Sequence, residues 1–293
     1  MLYDIGIRII FVIKNNLFAW RVGMANVSWT WKGKDGSRGR LLYEPGNWGD
    51  LLKLVWLEAF FSWHIGRPGS GFIEYLDPFA GAVDYPLGKR SGNRFHQAEL
   101  AGMRLVRETF LDHGRWPSSA MVVKTLFPDV AMTVFDADPE RLESWSAIDG
   151  ATCAGVASGW ELLETAAPGS DALWLVDPYD FIAEWRERLP LLEKIAGKAT
   201  LFVYIYNRAA RGPEAFAEYR AFRNALDDSA AFAGKRVGRV ASDAFLPRAH
   251  HEVLFLPSRG IAEDRSYSSL VSRLEEAVTE LGQAVFRAGA FDY

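Results

Sequence analysis

The chain has 293 residues, of which 49% are hydrophobic and 24% are charged, so it can bury a large core and is not globally disordered. Its net charge of -4 excludes a uniformly cationic protein, and a nucleic-acid substrate would therefore need a local basic patch. The single cysteine, Cys153, excludes an intrachain disulfide and fits a reducing compartment.

The N-terminal segment is apolar but short. Residues 5–13 are interrupted by Arg8 and are too few to cross a bilayer, and no small-residue cleavage site follows them. Because no later segment is long and apolar enough to span a membrane, we expect a soluble, cytoplasmic protein. Residues 29–40 are polar and glycine-rich, which predicts a hairpin or loop. Residues 1–39 are therefore expected to form an N-terminal extension or hairpin.

Helical and strand patterns alternate through the rest of the chain. Asn47 can cap a first helix, because the apolar residues after it recur at helical spacing. The expected helices cover 48–64, 95–113, 118–127 and 263–286, with a further helix opening at 139. The expected strands cover 72–76, 132–135, 152–156, 172–176, 200–206, 237–241 and 253–256. This alternation predicts an α/β fold with a Rossmann-like, mostly parallel seven-stranded twisted sheet and helices on both faces.

Two of these strands end in an acid, a proline and an aromatic residue. One stops at Asp77-Pro78-Phe79, which small residues follow, and the other stops at Asp177-Pro178-Tyr179. Open α/β sheets bind ligands just beyond the carboxyl ends of their strands. The small residues Ala80 and Gly81 would let a ligand approach the backbone, and the turn could offer free N–H groups. An ordinary βα turn is the alternative.

The acids after the second strand and after the strand that ends at Val176 are candidate ligand-binding residues. Asp136 and Asp138 follow the second strand, where such sheets bind ribose hydroxyls, although Asp138 is equally suited to cap a helix. Asp177, beside a fixed proline backbone and the ring of Tyr179, has the elements needed to hold an extruded, amine-bearing base. A strand that simply ends in a turn is the alternative for Asp177.

The five histidines show no spacing that would suit zinc, so we expect no metal. His250 and His251 precede the last expected strand and are assigned to a turn or an edge position. No P-loop and no full G-x-G-x-x-G is present, which leaves little support for a nicotinamide-dependent oxidoreductase.

Several short motifs follow one another along the chain. Residues 43–53 contain the pattern G-N-x-x-D-x-x-K, and the later motifs are Asp77-Pro78-Phe79-Ala80-Gly81, Pro117-Ser118, Asp136-Ala137-Asp138-Pro139, Ser158-Gly159 and Asp177-Pro178-Tyr179. Over roughly residues 40 to 260, this set resembles a bacterial family that methylates adenine N6 in 23S ribosomal RNA with S-adenosylmethionine.

The resemblance implies a class I methyltransferase domain over residues 40–293, with a short helical insertion near 89–117. It implies S-adenosylmethionine as the cofactor and RNA as the partner. The residues expected around the cofactor are Lys53, Asp77, Phe79, Ala80, Gly81, Ser118, Asp136, Ser158 and Gly159. Lys53 would lie near the methionine carboxylate and Asp136 near the ribose. The catalytic motif would be Asp177, Pro178 and Tyr179.

Some positions depart from the family's pattern. The catalytic D-P-P-Y lacks one proline here, Ser158 replaces an acid, and Phe79 replaces a histidine. A serine hydroxyl still accepts a hydrogen bond, so cofactor binding is compatible with these changes. We therefore expect a methyltransferase that acts on an amine of a nucleic-acid base. A methyltransferase with a small-molecule or protein acceptor, or a non-catalytic protein of the same fold, is the alternative.

Overall fold

The computed structural model describes residues 30–32, 38–40, 46–67, 73–87, 104–166, 172–178, 181–208, 213–241 and 249–287. The chain divides into two compact units, Met1–Tyr43 and Glu44–Tyr293. In the first unit, β1 (Thr30–Lys32) and β2 (Arg38–Arg40) pair as an antiparallel hairpin.

The second unit is built on one seven-stranded sheet. Its strands are β3 (Glu74–Asp77), β6 (Ala131–Val134), β7 (Ala151–Cys153), β8 (Ala172–Val176), β9 (Thr200–Arg208), β10 (Arg236–Ala241) and β11 (Ala249–Leu256). They lie in the order β10-β11-β9-β8-β3-β6-β7. The five strands from β9 to β7 are parallel, and β11 runs antiparallel to both of its neighbours. The predicted fold class, the mostly parallel sheet of a class I methyltransferase-like fold, is confirmed.

Helices cover both faces of this sheet. They are α1 (Trp48–Ile65), α2 (Arg104–Thr109), α3 (Ser119–Leu126), α4 (Pro139–Glu143), α5 (Gly159–Thr165), α6 (Phe181–Ile195), α7 (Pro213–Asp228), α8 (Arg259–Ala262) and α9 (Tyr267–Arg287). Alternate residues of a strand point to opposite faces, so β8 contributes side chains to the hydrophobic core on each face of the sheet. Leu173 and Leu175 pack on the side of α1, whereas Trp174 and Val176 pack on the side of α6.

The central helix α1 is buried along nearly its whole length, which explains why it is apolar all round. Its first turn is fixed by Asn47, whose side chain accepts from the N–H groups of Gly49 and Asp50 at 2.7 and 3.1 Å. Further along, Trp56 Nε1 donates to the Leu274 carbonyl of α9 at 3.0 Å. The first of these contacts fixes where α1 begins, and the second ties α1 to α9.

Of the helix predicted over 95–113, the structure describes α2 over Arg104–Thr109 and a 3-10 turn over Leu111–His113. Residues 88–103 lie outside the described residues. The strands before and after this stretch, β4 (Asp84–Pro86) and β5 (Arg115–Pro117), pair as a small antiparallel sheet. The structure corrects one other prediction of this kind. The assignment of His250 and His251 to a turn or edge is wrong, because β11 begins at Ala249 and lies between β9 and β10.

In the part of the chain that the structure describes, no helix is long and apolar enough to cross a bilayer.

Candidate active site

The candidate residues of the second unit lie along one edge of the sheet. Asp77 ends β3, Asp136 follows β6, Ser158 precedes α5 after β7, and Asp177 follows β8. Because these four strands are parallel, their carboxyl ends share an edge. Lys53 reaches the same edge from α1. Pro178 follows Asp177 there, and Tyr179 lies outside the described residues.

Lys53 is the centre of a buried group of charges. Its Nζ lies 3.0 Å from Asp50 Oδ1, donates to the carboxylate of Asp177, and stands 4.7 Å from the centroid of the Tyr204 ring. Asp50 is held in turn by the Gly46 N–H, which donates to Oδ2 at 2.8 Å. Burial alone would lower the pKa of Lys53, but Asp177 and Asp50 outweigh it and raise that pKa well above its ordinary value. The lysine therefore stays protonated.

Asp77 is the most enclosed of the three acids around this lysine. Its carboxylate accepts from Tyr75 Oη at 2.9 Å and from the Phe79 N–H at 3.1 Å, and the residue is 1% exposed. Burial raises the pKa of Asp77 to about 7; the Tyr75 hydrogen bond opposes this rise and the negative charge of Asp177 adds to it. Asp77 thus changes charge near neutral pH.

Asp177 is the carboxylate that a solute can reach. Its side chain keeps 21% of its surface exposed, against 6% for Asp50. Burial raises the pKa of Asp177, and the ion pair with Lys53 opposes the rise. A solute at this edge would therefore meet Asp177 before Asp50 or Asp77.

The N–H groups of the turn after Asp77 are bonded within the protein. Ala80 donates to the Phe135 carbonyl at 2.9 Å, Gly81 to Asp136 Oδ2 at 3.1 Å, and Ala82 to Tyr85 Oη at 3.2 Å. The prediction that this turn offers free N–H groups is therefore wrong, because Phe135, Asp136 and Tyr85 accept from them.

Gly81 is nevertheless required to be glycine. Its φ is 67°, in the left-handed region, and a Cβ there would lie 1.9 Å from Tyr85 Oη. The glycine therefore makes room for the Tyr85 hydroxyl.

Asp136 and Asp138 divide two tasks between them. Asp138 caps α4 by accepting from the Glu140 N–H at 3.0 Å. Asp136 accepts from Gly81 through Oδ2 and from the Asp138 N–H through Oδ1, the latter at 2.8 Å. Burial raises the pKa of Asp136, and the Asp138 N–H opposes the rise. Each carboxylate oxygen retains a lone pair, so Asp136 can still accept from a hydroxyl.

Ser158 and Gly159 begin α5 against the Asp77 turn. Ser158 Oγ accepts from the Glu161 N–H at 3.1 Å and caps the helix. A Cβ at Gly159 would lie 2.1 Å from the Pro78 carbonyl oxygen and 2.8 Å from the Phe79 ring. Glycine therefore lets α5 lie directly on the turn, and the Phe79 ring packs against the helix, 5.1 Å from the centroid of Trp160.

Ser118 lies beside the same turn. It is buried and caps α3 by accepting from the Met121 N–H at 3.2 Å. Its own N–H donates to the Val83 carbonyl at 3.0 Å. Pairing of β4 with β5 brings Ser118 to this position.

Several residues of this site had no role assigned from the sequence. Asp50 precedes Lys53 by one helical turn, and Tyr75 precedes Asp77 by two residues on a strand, so simple spacing could have indicated both. Tyr204 and His251 come from β9 and β11, and only the pairing of those strands brings them near Lys53. Among the described residues, no group of His, Cys, Asp and Glu could hold a metal ion.

Comparisons with known proteins support the fold. No protein-family model and no curated protein matches the chain. Protein LPL1258 from Legionella pneumophila strain Philadelphia 1, of family DUF519, is similar in structure with a TM-score of 0.60 and 14% identity, over 81% of this chain and 94% of its own. At that identity the similarity shows the fold alone.

Two further structural similarities have TM-scores below 0.5, which is too low to support a conclusion about this chain. They are to the plantazolicin methyltransferase BpumL in complex with SAH (TM-score 0.40, 11% identity, 72% of this chain and 86% of that one) and to the MTase domain of METTL16 (TM-score 0.39, 8% identity, 71% and 82%).

The contact between α5 and the Asp77 turn predicts the effect of two glycine substitutions. Gly159→Ala is expected to lower the free energy of unfolding by about 1–3 kcal/mol, because its Cβ overlaps the backbone of Pro78. Gly155→Ala is the control, since nothing lies within 4 Å of its Cβ, and its effect should stay within about 0.5 kcal/mol. Urea denaturation measures both, and equal effects would contradict the packing of α5 on the turn.

The raised pKa of Asp77 predicts a pH-dependent stability. Because the folded-state pKa of about 7 exceeds the ordinary value of 3.8, this group favours folding below pH 3.8 and loses that contribution as the pH rises through 7. Relative to Asp77→Asn, the wild type should lose up to about 4 kcal/mol of unfolding free energy between pH 4 and 8. Denaturation of both proteins across this range tests it, and parallel pH curves would refute it.

Proposed function

We propose that the protein is an S-adenosylmethionine-dependent methyltransferase that acts on an amine of a nucleic-acid base. One observation carries the proposal: Lys53 bonds Asp177 within the same buried cluster that contains Asp50 and Asp77. The two Asp-Pro turns therefore meet at one place. A donor at the first turn and an acceptor at the second would be adjacent, as group transfer requires.

The residues at this edge suit the charges of the cofactor. Three carboxylates face one lysine, and this excess of negative charge complements a ligand that carries a sulfonium and an ammonium group. Lys53 complements its carboxylate, and Asp136 can accept from its ribose hydroxyls. When bound, S-adenosylmethionine supplies an electrophilic methyl group.

The chain's own contribution at the second turn is to orient the acceptor. Asp177 accepts a hydrogen bond from the acceptor amine, and Lys53 holds the carboxylate in place. Pro178 fixes the backbone beside it. By the resemblance, Tyr179 would stack on the acceptor ring. Orientation and exclusion of water account for this role better than strong acid–base catalysis does.

Calorimetry with S-adenosylmethionine and with its demethylated product tests the cofactor. We expect both to bind, and absence of binding at millimolar concentration would refute the proposal. Asp177→Asn should reduce methyl transfer to deproteinised RNA by about 10²- to 10⁴-fold, because it removes a charged partner of the amine. Cofactor affinity should change only a few-fold. Asp149→Asn, the same change at an exposed position, is the control.

An uneven distribution of charge supports a nucleic-acid acceptor. Residues 1–43 contain seven basic and two acidic residues, a net charge of +5, whereas the whole chain carries -4. The remaining residues therefore carry -9. A basic segment that precedes an acidic domain in sequence is one way for a protein of low net charge to bind phosphates.

The hairpin arranges part of this basic segment on one face. Lys32 lies opposite Arg38, and Thr30 lies opposite Arg40. Opposed residues, and residues two apart on a strand, belong to the same face of a hairpin, so the register assigns Lys32, Arg38 and Arg40 to one face.

Replacing Lys32, Arg38 and Arg40 together by alanine should weaken binding to deproteinised RNA. The slope of log K against log salt concentration should fall in magnitude by about 2 to 3, because each phosphate contact contributes about 0.7–0.9. Fluorescence anisotropy with labelled RNA at several salt concentrations measures this slope.

The matched control replaces one lysine and two arginines elsewhere: Lys198, Arg104 and Arg259, all exposed. It should leave the slope nearly unchanged, and an equal loss would show that only net charge matters. Binding to anionic phospholipid vesicles without binding to RNA would assign this face to a membrane surface instead.

A non-catalytic protein of the same fold is the second candidate, and the shortened motif favours it. With one proline fewer than D-P-P-Y, the turn after Asp177 has one fixed carbonyl fewer for an acceptor amine. Cofactor binding without methyl transfer by either the wild type or Asp177→Asn would support this candidate. Incubation with cofactor labelled on its methyl group tests the acceptor. Label found only in a small-molecule or protein fraction would reject RNA as the acceptor.

A further inference from the structure

Strands β9 and β11 extend past the end of β8 at the candidate active site. Val176, the last residue of β8, is level with Val203 of β9, so Tyr204 is level with Asp177 and Tyr206 lies beyond it. β11 accompanies β9 over this extension, with His251 opposite Tyr206. The two strands therefore form a wall that rises beside Asp177 at the carboxyl edge of the sheet.

This wall carries three rings in a row. The His251 ring is stacked on Tyr206 with centroids 5.0 Å apart and an interplanar angle of 26°. It is also stacked on Tyr204, at 6.1 Å and 19°. Tyr204 Oη lies 2.7 Å from His251 Nδ1, a hydrogen bond that fixes the imidazole. The His251 ring is therefore close to parallel with each tyrosine ring, and its hydrogen bond to Tyr204 holds it in that orientation.

The amino end of α1 lies against this row. A Cβ at Gly49 would lie 2.2 Å from Tyr204 Oη and 2.7 Å from His251 Nδ1, so only glycine allows the helix to approach so closely. Lys53, one turn later, stands over the Tyr204 ring and also bonds Asp177. The rings and the reachable carboxylate are thus joined through one lysine.

Burial separates these rings from the core residues below them. On the same face of the same strands, Phe202 and Val253 are completely buried. Tyr204, Tyr206 and His251 each remain partly exposed. Large flat side chains kept partly in solvent, next to a carboxylate, suit the binding of a flat heteroaromatic ring by stacking.

We propose that Tyr206 and His251 form a stacking surface for a flat heteroaromatic amine, such as a nucleobase, whose exocyclic nitrogen reaches Asp177. Tyr204 is a positioning residue, because it acts by orienting His251. The identification of this ligand as the methyl acceptor rests on the proposed function. The stacking surface itself depends only on the geometry of β9 and β11.

Binding of adenosine 5′-monophosphate to the full chain tests the surface, with ribose 5-phosphate as the probe that lacks a base. The wild type should bind the nucleotide in the millimolar range or tighter and should not bind the sugar phosphate. Tyr206→Leu keeps apolar bulk and removes the aromatic face. It should weaken nucleotide binding by about 5- to 150-fold, the equivalent of the roughly 1–3 kcal/mol of one stacked base.

Conservative variants separate stacking from structural effects. Tyr206→Phe and His251→Phe keep a flat ring and should retain binding within about threefold, whereas His251→Ala should weaken it as Tyr206→Leu does. Tyr204→Phe keeps its ring but removes the 2.7 Å hydrogen bond, so it should broaden the His251 imidazole signals in NMR spectra. Tyr267→Ala is the matched control, since Tyr267 packs on Phe255 at the other end of β11.

The proposal would be overturned if the wild type failed to bind the nucleotide, or if Tyr206→Leu and His251→Ala bound it as the wild type does. Equal binding of ribose 5-phosphate would also overturn it, because phosphate contacts would then account for the affinity. Affinity for S-adenosylmethionine should be the same in all these variants. If the wild type does not bind S-adenosylmethionine, the methyltransferase proposal is refuted. The stacking surface is then tested by nucleotide binding alone.

Discussion

The architecture of the candidate site depends on Lys53, a lysine shared between two carboxylates in a buried position. Removing an ammonium group from water is costly unless opposite charges surround it, and Asp50 and Asp177 supply those charges. Asp50 comes from the same helix, whereas Asp177 comes from the end of β8. The ion pairs therefore tie the amino end of α1 to the centre of the sheet.

The lysine does not balance the acids around it, and the imbalance explains the unusual titration of Asp77. With Asp50 and Asp177 already paired to Lys53, a third ionised carboxylate would be buried without a cation of its own. Tyr75 and the Phe79 N–H stabilise its charge only in part, and its pKa rises to about 7. A cationic ligand would supply the missing charge and favour ionised Asp77. Ligand binding and proton release should thus be coupled at this edge.

Much of this arrangement could be predicted from the sequence, because it follows from local rules. Parallel strands place their carboxyl ends together, so Asp77, Asp136 and Asp177 were expected at one edge, and helix caps such as Asn47 were recognisable from residue type. The hydrogen bonds from Ala80 to Phe135 and from Gly81 to Asp136 were not predictable, because these partners are distant in sequence. The position of His251 was missed for a similar reason: only strand pairing shows that β11 begins early.

The shortened motif at Asp177 changes which parts of the molecule must orient the acceptor. A second proline would stiffen the turn from within the backbone. Here, Lys53 fixes the carboxylate from the opposite side, and the same lysine stands over Tyr204, which is bonded to His251. Rigidity is therefore supplied by a helix and by the wall of β9 and β11. The orientation of Asp177 should accordingly depend on α1, a helix more than a hundred residues away in sequence.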